Sequence, residues 1–313
     1  MTDTQSAPND TRPTGPAEAG RLMKLATYAA VSTALSLVIL KAGAWWLTGS
    51  VALLGSLVDS ILDVAASLIN LFAVRQALVP RDRDHRFGHG KAEALAGLGQ
   101  SVFIGLSAVY LIAQSLTHLR NPEPVAHSTI GLIVTLITIV ATVGLIRFQR
   151  YVIGKSASLA ISADNLHYTG DLLLNLAVIV ALVFSGVLAW PLFDPLIGIG
   201  IAFYIFYAAW KIVMQSFDQL MDKEFPDEKR EEVKRVALDH PQVLSVHDLR
   251  TRSAGSHDFI QLHIELDPSI SLVQAHKISD EVEAKLMAAF PRAQILIHQD
   301  PAGLEEILAL DQQ

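Results

Sequence analysis

The sequence predicts an α-helical membrane protein: a six-helix transmembrane bundle followed by a small α+β domain of order αββαβ. Three observations carry that prediction. The 313-residue chain is 51% hydrophobic and only 18% charged, with a mean hydropathy of +0.38, too apolar for an ordinary soluble protein. Six apolar segments run over 24–48, 51–79, 93–119, 128–150, 157–186 and 189–221, each long enough for the ~20 residues that cross a bilayer. After Met221 the long apolar runs stop, and short helix and strand periods replace them.

Taken in order, residues 1–20 (MTDTQSAPNDTRPTGPAEAG) are polar and rich in Pro, Gly and Thr, and read as a disordered tail without a cleaved signal peptide. The membrane domain then spans 21–221. Lys and Arg gather in the N-terminal flank (Arg12, Arg21, Lys24), the second connection (Arg75, Arg81, Arg83, Arg86, Lys91) and the fourth (Arg147, Arg150, Lys155). That bias puts both termini and the even-numbered connections of a multi-pass membrane protein in the cytoplasm. Lys41 and Lys211 fall inside apolar stretches and read as snorkelling to an interface.

The second domain is expected over 222–305, with 306–313 as a C-terminal tail. DEKREEVKRVALDH reads as an amphipathic helix behind Pro226, and SLVQAHKISDEVEAKLMAAF as a second helix. VLSVHDLRTR and FIQLHIELD read as a hairpin around AGSHD, and AQILIHQD as a third strand. That order suggests a two-layer α+β fold.

Composition also excludes chemistry. The absence of Cys rules out disulfides, thiolate metal sites and Cys nucleophiles, so any metal is held by His and carboxylate. The formal charge of −7 resides in residues 223–313, which hold 17 acidic and 10 basic residues. An acidic tail and a neutral membrane domain argue against nucleic acid as a partner.

Two four-residue spacings dominate the apolar part. Asp59 and Asp63 lie in GSLVDSILDVAASLINLF, and His167 and Asp171 in ADNLHYTGDLLLNLAVIV. At i and i+4 each pair shares one helix face. Ionisable groups at membrane depth are expensive, and are paired and functional where they occur. Both pairs lie ~14–21 Å along their helices, near the middle of a ~30 Å core. Three carboxylates and one imidazole make a four-coordinate site for a divalent cation. Ser50 and Ser158 each precede the first member of their pair by nine residues, in spans of opposite direction, as an inverted repeat would place them. Asp164 is read as nearer the helix entrance, outside the ligand set, and Asn70 and Asn175 as interhelical hydrogen-bonders. Three carboxylates at low dielectric do not all stay ionised without metal, so metal binding and proton release are linked. With alternating access, that linkage makes a metal/proton antiporter. One nitrogen with carboxylate oxygens suits Zn2+, and also Fe2+, Mn2+, Co2+ or Cd2+.

Two further clusters stand outside the spans. In RDRDHRFGHGKAE, Asp82, His85 and His89 supply three potential ligands on a Gly-bearing loop. In the tail, His247, His263, His298 and Asp300 come from different predicted strands, with His298 and Asp300 on one face at i,i+2. His276 on the second helix is a further candidate. His118, His127, His240 and His257 read as surface residues.

The stretches LVDSILDVAASL, FGHGKAE, ADNLHYTGD, HDLRTR, FIQLHIELD, QAH and ILIHQDP together resemble the cation diffusion facilitator family, from about Arg21 to Pro301. They are most similar to its bacterial zinc and ferrous-iron efflux members. The resemblance implies an intramembrane transport site at Asp59, Asp63, His167 and Asp171. It implies a cytoplasmic-loop site at Asp82, His85 and His89. A two-metal site at His247, His263, His276, His298 and Asp300 is implied in a metallochaperone-like cytoplasmic domain. It further implies a homodimer that exchanges cytoplasmic metal for protons, with Lys91 and Asp222 as a charge pair locking the dimer at the membrane surface. The mixed Asp-Asp/His-Asp quartet is similar to the zinc- and cadmium-selective branch, with iron as a second substrate. Two alternatives compete. A membrane metallohydrolase needs a general base and a substrate groove, and no HExxH or comparable motif is present. A membrane-anchored metal sensor or storage protein has no use for ionisable groups at the midplane.

Overall fold

The computed structural model describes residues 16–120, 129–188, 193–255 and 257–303. Six long helices come first: α1 (Pro16–Thr48), α2 (Val51–Ala77), α3 (Lys91–Arg120), α4 (Thr129–Ser156), α5 (Leu159–Leu188) and α6 (Phe193–Leu220). Among the described residues α1, α2, α3, α4 and α6 are long and apolar enough to cross a membrane. Large apolar side chains such as Ile39, Trp46, Phe72 and Val140 point outward from them, as lipid-facing surface does. The 30-residue α5 packs against α3, α4 and α6 and completes the bundle. α1 begins inside the stretch read as a disordered tail: residues 16–20 are helical, and Ala19 is buried. The rest of that stretch lies outside the described residues, as do His127 and the side chain of His118.

The weak sequence repeat has a counterpart in backbone geometry. Thr48-Gly49-Ser50 joins α1 to α2, and Ser156-Ala157-Ser158 joins α4 to α5. The middle residue has positive φ in both turns, +62° at Gly49 and +54° at Ala157. In both, the preceding hydroxyl accepts from the second serine's backbone N–H, at 3.3 Å. That serine then caps the next helix, Ser50 accepting from Leu53 N at 3.5 Å and Ser158 from Ile161 N at 3.2 Å. Each cap thus fixes a helix start nine residues ahead of Asp59 or of His167.

The C-terminal domain contains α7 (Asp227–Leu238), β1 (Ser245–Ala254), β2 (His257–Leu266), α8 (Leu272–Ala289) and β3 (Ala293–Pro301), in the predicted order. The sheet order is β1-β2-β3, antiparallel then parallel. Ile260, Leu262, Ile264 and Leu266 alternate inward along β2 and meet Val282 and Leu286 of α8 and Val233 of α7. The other sheet face is left polar.

Two close approaches join the domains. Gly90, at the start of α3, lies so near the Ala254 carbonyl of the β1–β2 turn that a Cβ there would collide with it. Arg252 of β1 stacks its guanidinium on Phe87 and Phe259, 4.8 and 4.6 Å from the ring centres.

Candidate metal sites

Asp63, His167 and Asp171 converge inside the bundle, each offering a ligand atom within 4.8 Å of the others. His167 Nε2 lies 2.9 Å from Asp63 Oδ1 and 3.5 Å from Asp171 Oδ2. They line a cavity of about 430 Å³ together with Asp59 and Lys41. Asp59 faces this cavity without joining the three-residue cluster; packing a third carboxylate against two others is opposed by like-charge repulsion.

The surroundings of α5 explain why His167 is held in place. The Tyr168 hydroxyl lies 2.9 Å from Ser67 Oγ of α2. One turn before His167, the buried Asp164 accepts from Gln149 Nε2 at 2.6 Å and Gln100 Nε2 at 3.2 Å, tying α5 to α4 and α3. As expected, Asp164 stands outside the ligand cluster. Buried polar groups bonded in this way fix helix register within an apolar bundle.

Three expectations near this site need correction. Lys41 does not snorkel: it is 9% exposed, and its Nζ donates to Ser60 Oγ at 2.7 Å and to the Ser56 carbonyl at 3.2 Å. Its long chain reaches inward because α2 offers oxygens there, whereas Lys211 stays exposed over the Tyr207 ring. The buried Asn70 makes no side-chain hydrogen bond among the described residues. Asn175 donates to the Asp171 carbonyl of its own helix at 2.9 Å, not to a neighbour.

In the loop, Asp82, His85 and His89 also gather within 4.8 Å. Asp82 Oδ1 accepts from His85 N at 2.6 Å and Asp84 N at 3.0 Å, a local turn that brings the two imidazoles to 4.3 Å between ring centres. Those backbone donors, the His85 N–H first, hold the Asp82 carboxyl below the usual aspartate range. His89 Nε2 lies 3.4 Å from Asp82 Oδ2, while its buried Nδ1 has no partner among the described residues. An imidazole and a carboxylate converging beside an orphaned ring nitrogen fit a small cation.

The tail cluster is set by strand register. His247, His263 and His298 occupy matching positions on β1, β2 and β3. His247, His263 and Asp300 fall within 4.8 Å of one another. Asp300 lies 2.8 Å from His263 Nδ1 and 3.2 Å from His298 Nε2. His276 is not brought to this cluster; it is 72% exposed, with Nε2 3.6 Å from Asp280. Asp248, which the sequence did not single out, points into the cluster with Oδ2 3.5 Å from His263 Nε2. It sits at φ +44° in a β-bulge between His247 and Arg250. His240, expected at the surface, is 4% exposed, with Nε2 3.0 Å from Glu281; it occupies the α7–α8 contact, where its ring is more useful as packing than in water.

Lys91 and Asp222 pair within one chain, at 3.0 Å, and Asp222 also accepts from Arg252 at 3.2 Å. Asp222 follows α6 at φ +55°, and the next N–H, from Lys223, returns to the Asp218 carbonyl at 2.9 Å, a helix-ending turn that usually carries Gly or Asn.

The family model for the cation efflux transmembrane domain matches residues 27–221, and that for the cation efflux protein, cytoplasmic domain, matches 225–302. The cation-efflux pump FieF of Klebsiella pneumoniae is 45% identical over 285 residues, 91% of this chain and 95% of that protein. FieF of Escherichia coli (strain K12 / DH10B) is 43% identical over the same shares. The solved cytosolic domain of a cation diffusion facilitator family protein is 24% identical, with a TM-score of 0.24 over 25% of this chain and 93% of that one.

Proposed function

The chain belongs to the cation efflux, or cation diffusion facilitator, family, and on that premise we propose that it is a homodimeric exporter moving Zn2+ out of the cytoplasm in exchange for protons, with Fe2+ or Cd2+ as further substrates. The observation that carries this reading is the convergence of Asp63, His167 and Asp171 in a cavity between the helices of an apolar bundle. Residues 21–221 are the transport unit, and 222–305 the cytoplasmic domain, with both termini in the cytoplasm of a bacterial inner-membrane protein.

Asp59, Asp63, His167 and Asp171 hold the transported ion, with Asp59 moving in as the fourth ligand. Carboxylates in a low-dielectric cavity take up protons when the metal leaves and release them when it binds, which couples the two fluxes. Access alternates as α2 and α5, which carry the two ligand pairs and start in matching turns, rock together against the rest of the bundle. One imidazole beside carboxylates favours borderline metals over a hard ion such as Mn2+.

The loop and tail clusters hold resident metal. Asp82, His85 and His89 form one site; His247, His263, His298 and Asp300 form that of the tail, without His276. Metal there neutralises converging carboxylates and fixes the sheet face that pairs with a second protomer. Lys91 and Asp222 clamp the membrane end of the same interface.

Asp63→Ala abolishes Zn2+ uptake into inside-out vesicles while the tail still binds Zn2+. Unchanged uptake would sink the exporter reading. His167→Asp, which hardens the ligand set, shifts preference toward Mn2+; a preserved Zn2+/Mn2+ ratio would remove His167 from metal selection.

A further inference from the structure

A cavity of about 760 Å³ lies where the start of α1, the α2–α3 connection and the β1–β2 turn meet, a size that suits a small-molecule ligand. Arg21 and Lys24 of α1 and Arg81 of the connection stand on its wall, and none of the described lining residues is acidic. In a chain of net charge −7 that sign is unexpected. Among the described residues none of the three cations has a carboxylate within 4.0 Å. Arg81 leans over the Phe259 ring, 6.0 Å from its centre. His257, at the start of β2, also lines the cavity; burial, and then the charges of Arg81 and Arg292, hold it below the usual imidazole range. A wall of this kind repels a metal ion and draws an anion. The cavity is therefore no annex of the loop cluster, although His89 borders both.

Its place along the helices says which anion. α1 has 33 residues, well beyond the ~20 that cross a bilayer, so its first turns, with Arg21 and Lys24, stand in the headgroup layer. Leu25 and Tyr28 follow the two cations at i+4, on the same helix faces, and are 49% and 44% exposed. Cationic heads thus give way to apolar surface in the direction of the membrane. We propose that this cavity seats the headgroup of one anionic phospholipid per chain. Arg21, Lys24 and Arg81 hold its phosphate, and an acyl chain lies along Leu25 and Tyr28. By touching α1 and the α2–α3 connection at once, the lipid braces the loop against the first span.

Native mass spectrometry of the full-length protein in an uncharged detergent tests this, with dioleoyl phosphatidylglycerol or dioleoyl phosphatidylcholine as the titrant. Phosphatidylglycerol is retained saturably, at one molecule per chain, and phosphatidylcholine about ten-fold more weakly or less. Arg21→Gln with Lys24→Gln weakens phosphatidylglycerol retention by about twenty-five-fold, or about five-fold for each cation. Ala17→Trp, which adds bulk to the cavity wall and leaves every cation in place, abolishes retention. Arg147→Gln with Arg150→Gln removes two cations from the same side of the bundle but outside the cavity, and changes nothing. Ala17, Arg21 and Lys24 are exposed, so the fold does not depend on their side chains. Equal losses in the two double variants would mean that the general positive charge of this side holds the lipid, and would overturn the proposal; so would full retention in Ala17→Trp. Inorganic phosphate or glycerol 3-phosphate competing at the affinity of the lipid would make the occupant a soluble phosphate and sink the lipid assignment. Retention is measured without transport, so no outcome bears on the exporter reading.

Discussion

Ala157 holds a backbone conformation, φ +54°, that its methyl group disfavours and that Gly49 occupies freely at the equivalent turn. Ala157→Gly is therefore expected to raise stability by about 0.5–1 kcal/mol, and Gly49→Ala to lower it by a similar amount. Thermal unfolding of the two variants in one detergent checks the pair, and equal shifts of the same sign would refute the shared geometry. Asp248 is the other residue whose conformation points to use. Asp248→Ala removes the carboxylate beside His263 Nε2 and should weaken tail-site Zn2+ binding by about ten-fold, measurable by titration calorimetry. Unaltered affinity would leave Asp248 as a turn residue only. The sequence marked His263 as a candidate because alternation along β2 is regular, and His298 and Asp300 because they stand at i,i+2 on β3. It did not mark Asp248, whose role depends on one irregularity.

That irregularity belongs to the element scale. Val246 packs on the core and Leu249 is buried in it, three residues apart, a spacing that a period-2 strand cannot place on one face. The bulge absorbs the extra residue and leaves His247 in register with His263. The odd spacing of Val246 and Leu249 was the available signal. Helix identity and the order of elements along the chain were legible, since α1 to α6 are long apolar runs, the tail elements carry short periods of their own, and Ser50, Ser158, Pro226 and Ser271 stand at the starts of α2, α5, α7 and α8. Side-chain destinations inside the bundle were less so. Lys41 and Asn70 sit in apolar runs that look alike, and only the packing of α1 on α2 shows that one finds serine oxygens and the other nothing. The Gly90 contact was equally invisible, being made by a turn 164 residues away in sequence. Gly90→Ala forces the loop off the β1–β2 turn and is expected to cost about 1–3 kcal/mol. Differential scanning of the full chain tests this; an unchanged transition would mean that the two domains do not lean on each other there.

At the scale of the whole molecule, the two domains are joined by a short chain of charges, Lys91 to Asp222 to Arg252, placed where α3, α6 and β1 meet. Exposed pairs of this kind contribute at most about 1 kcal/mol to stability. Asp222→Asn, which keeps a residue tolerant of positive φ, should barely change unfolding yet broaden the distances between spin labels on the membrane and tail domains. A sharp, unshifted distance distribution would show that the charges do not set domain geometry. Matching depth of the two ligand pairs was legible because helix rise converts sequence spacing directly to distance, and the two capped turns bear that spacing out. The position of Asp59 outside the three-residue cluster was not, since spacing gives a face and a height but not which carboxylates repel each other apart.

The central claim, that Asp63, His167 and Asp171 exchange metal for protons, is tested most directly by following proton flux in proteoliposomes as Zn2+ is added on one side. Zn2+ entry should drive protons out at a fixed ratio, collapse of the proton gradient should stop uphill Zn2+ movement, and Asp63→Ala should remove both fluxes together. Uphill Zn2+ transport persisting with no proton gradient, or proton flux indifferent to Zn2+, would contradict the claim.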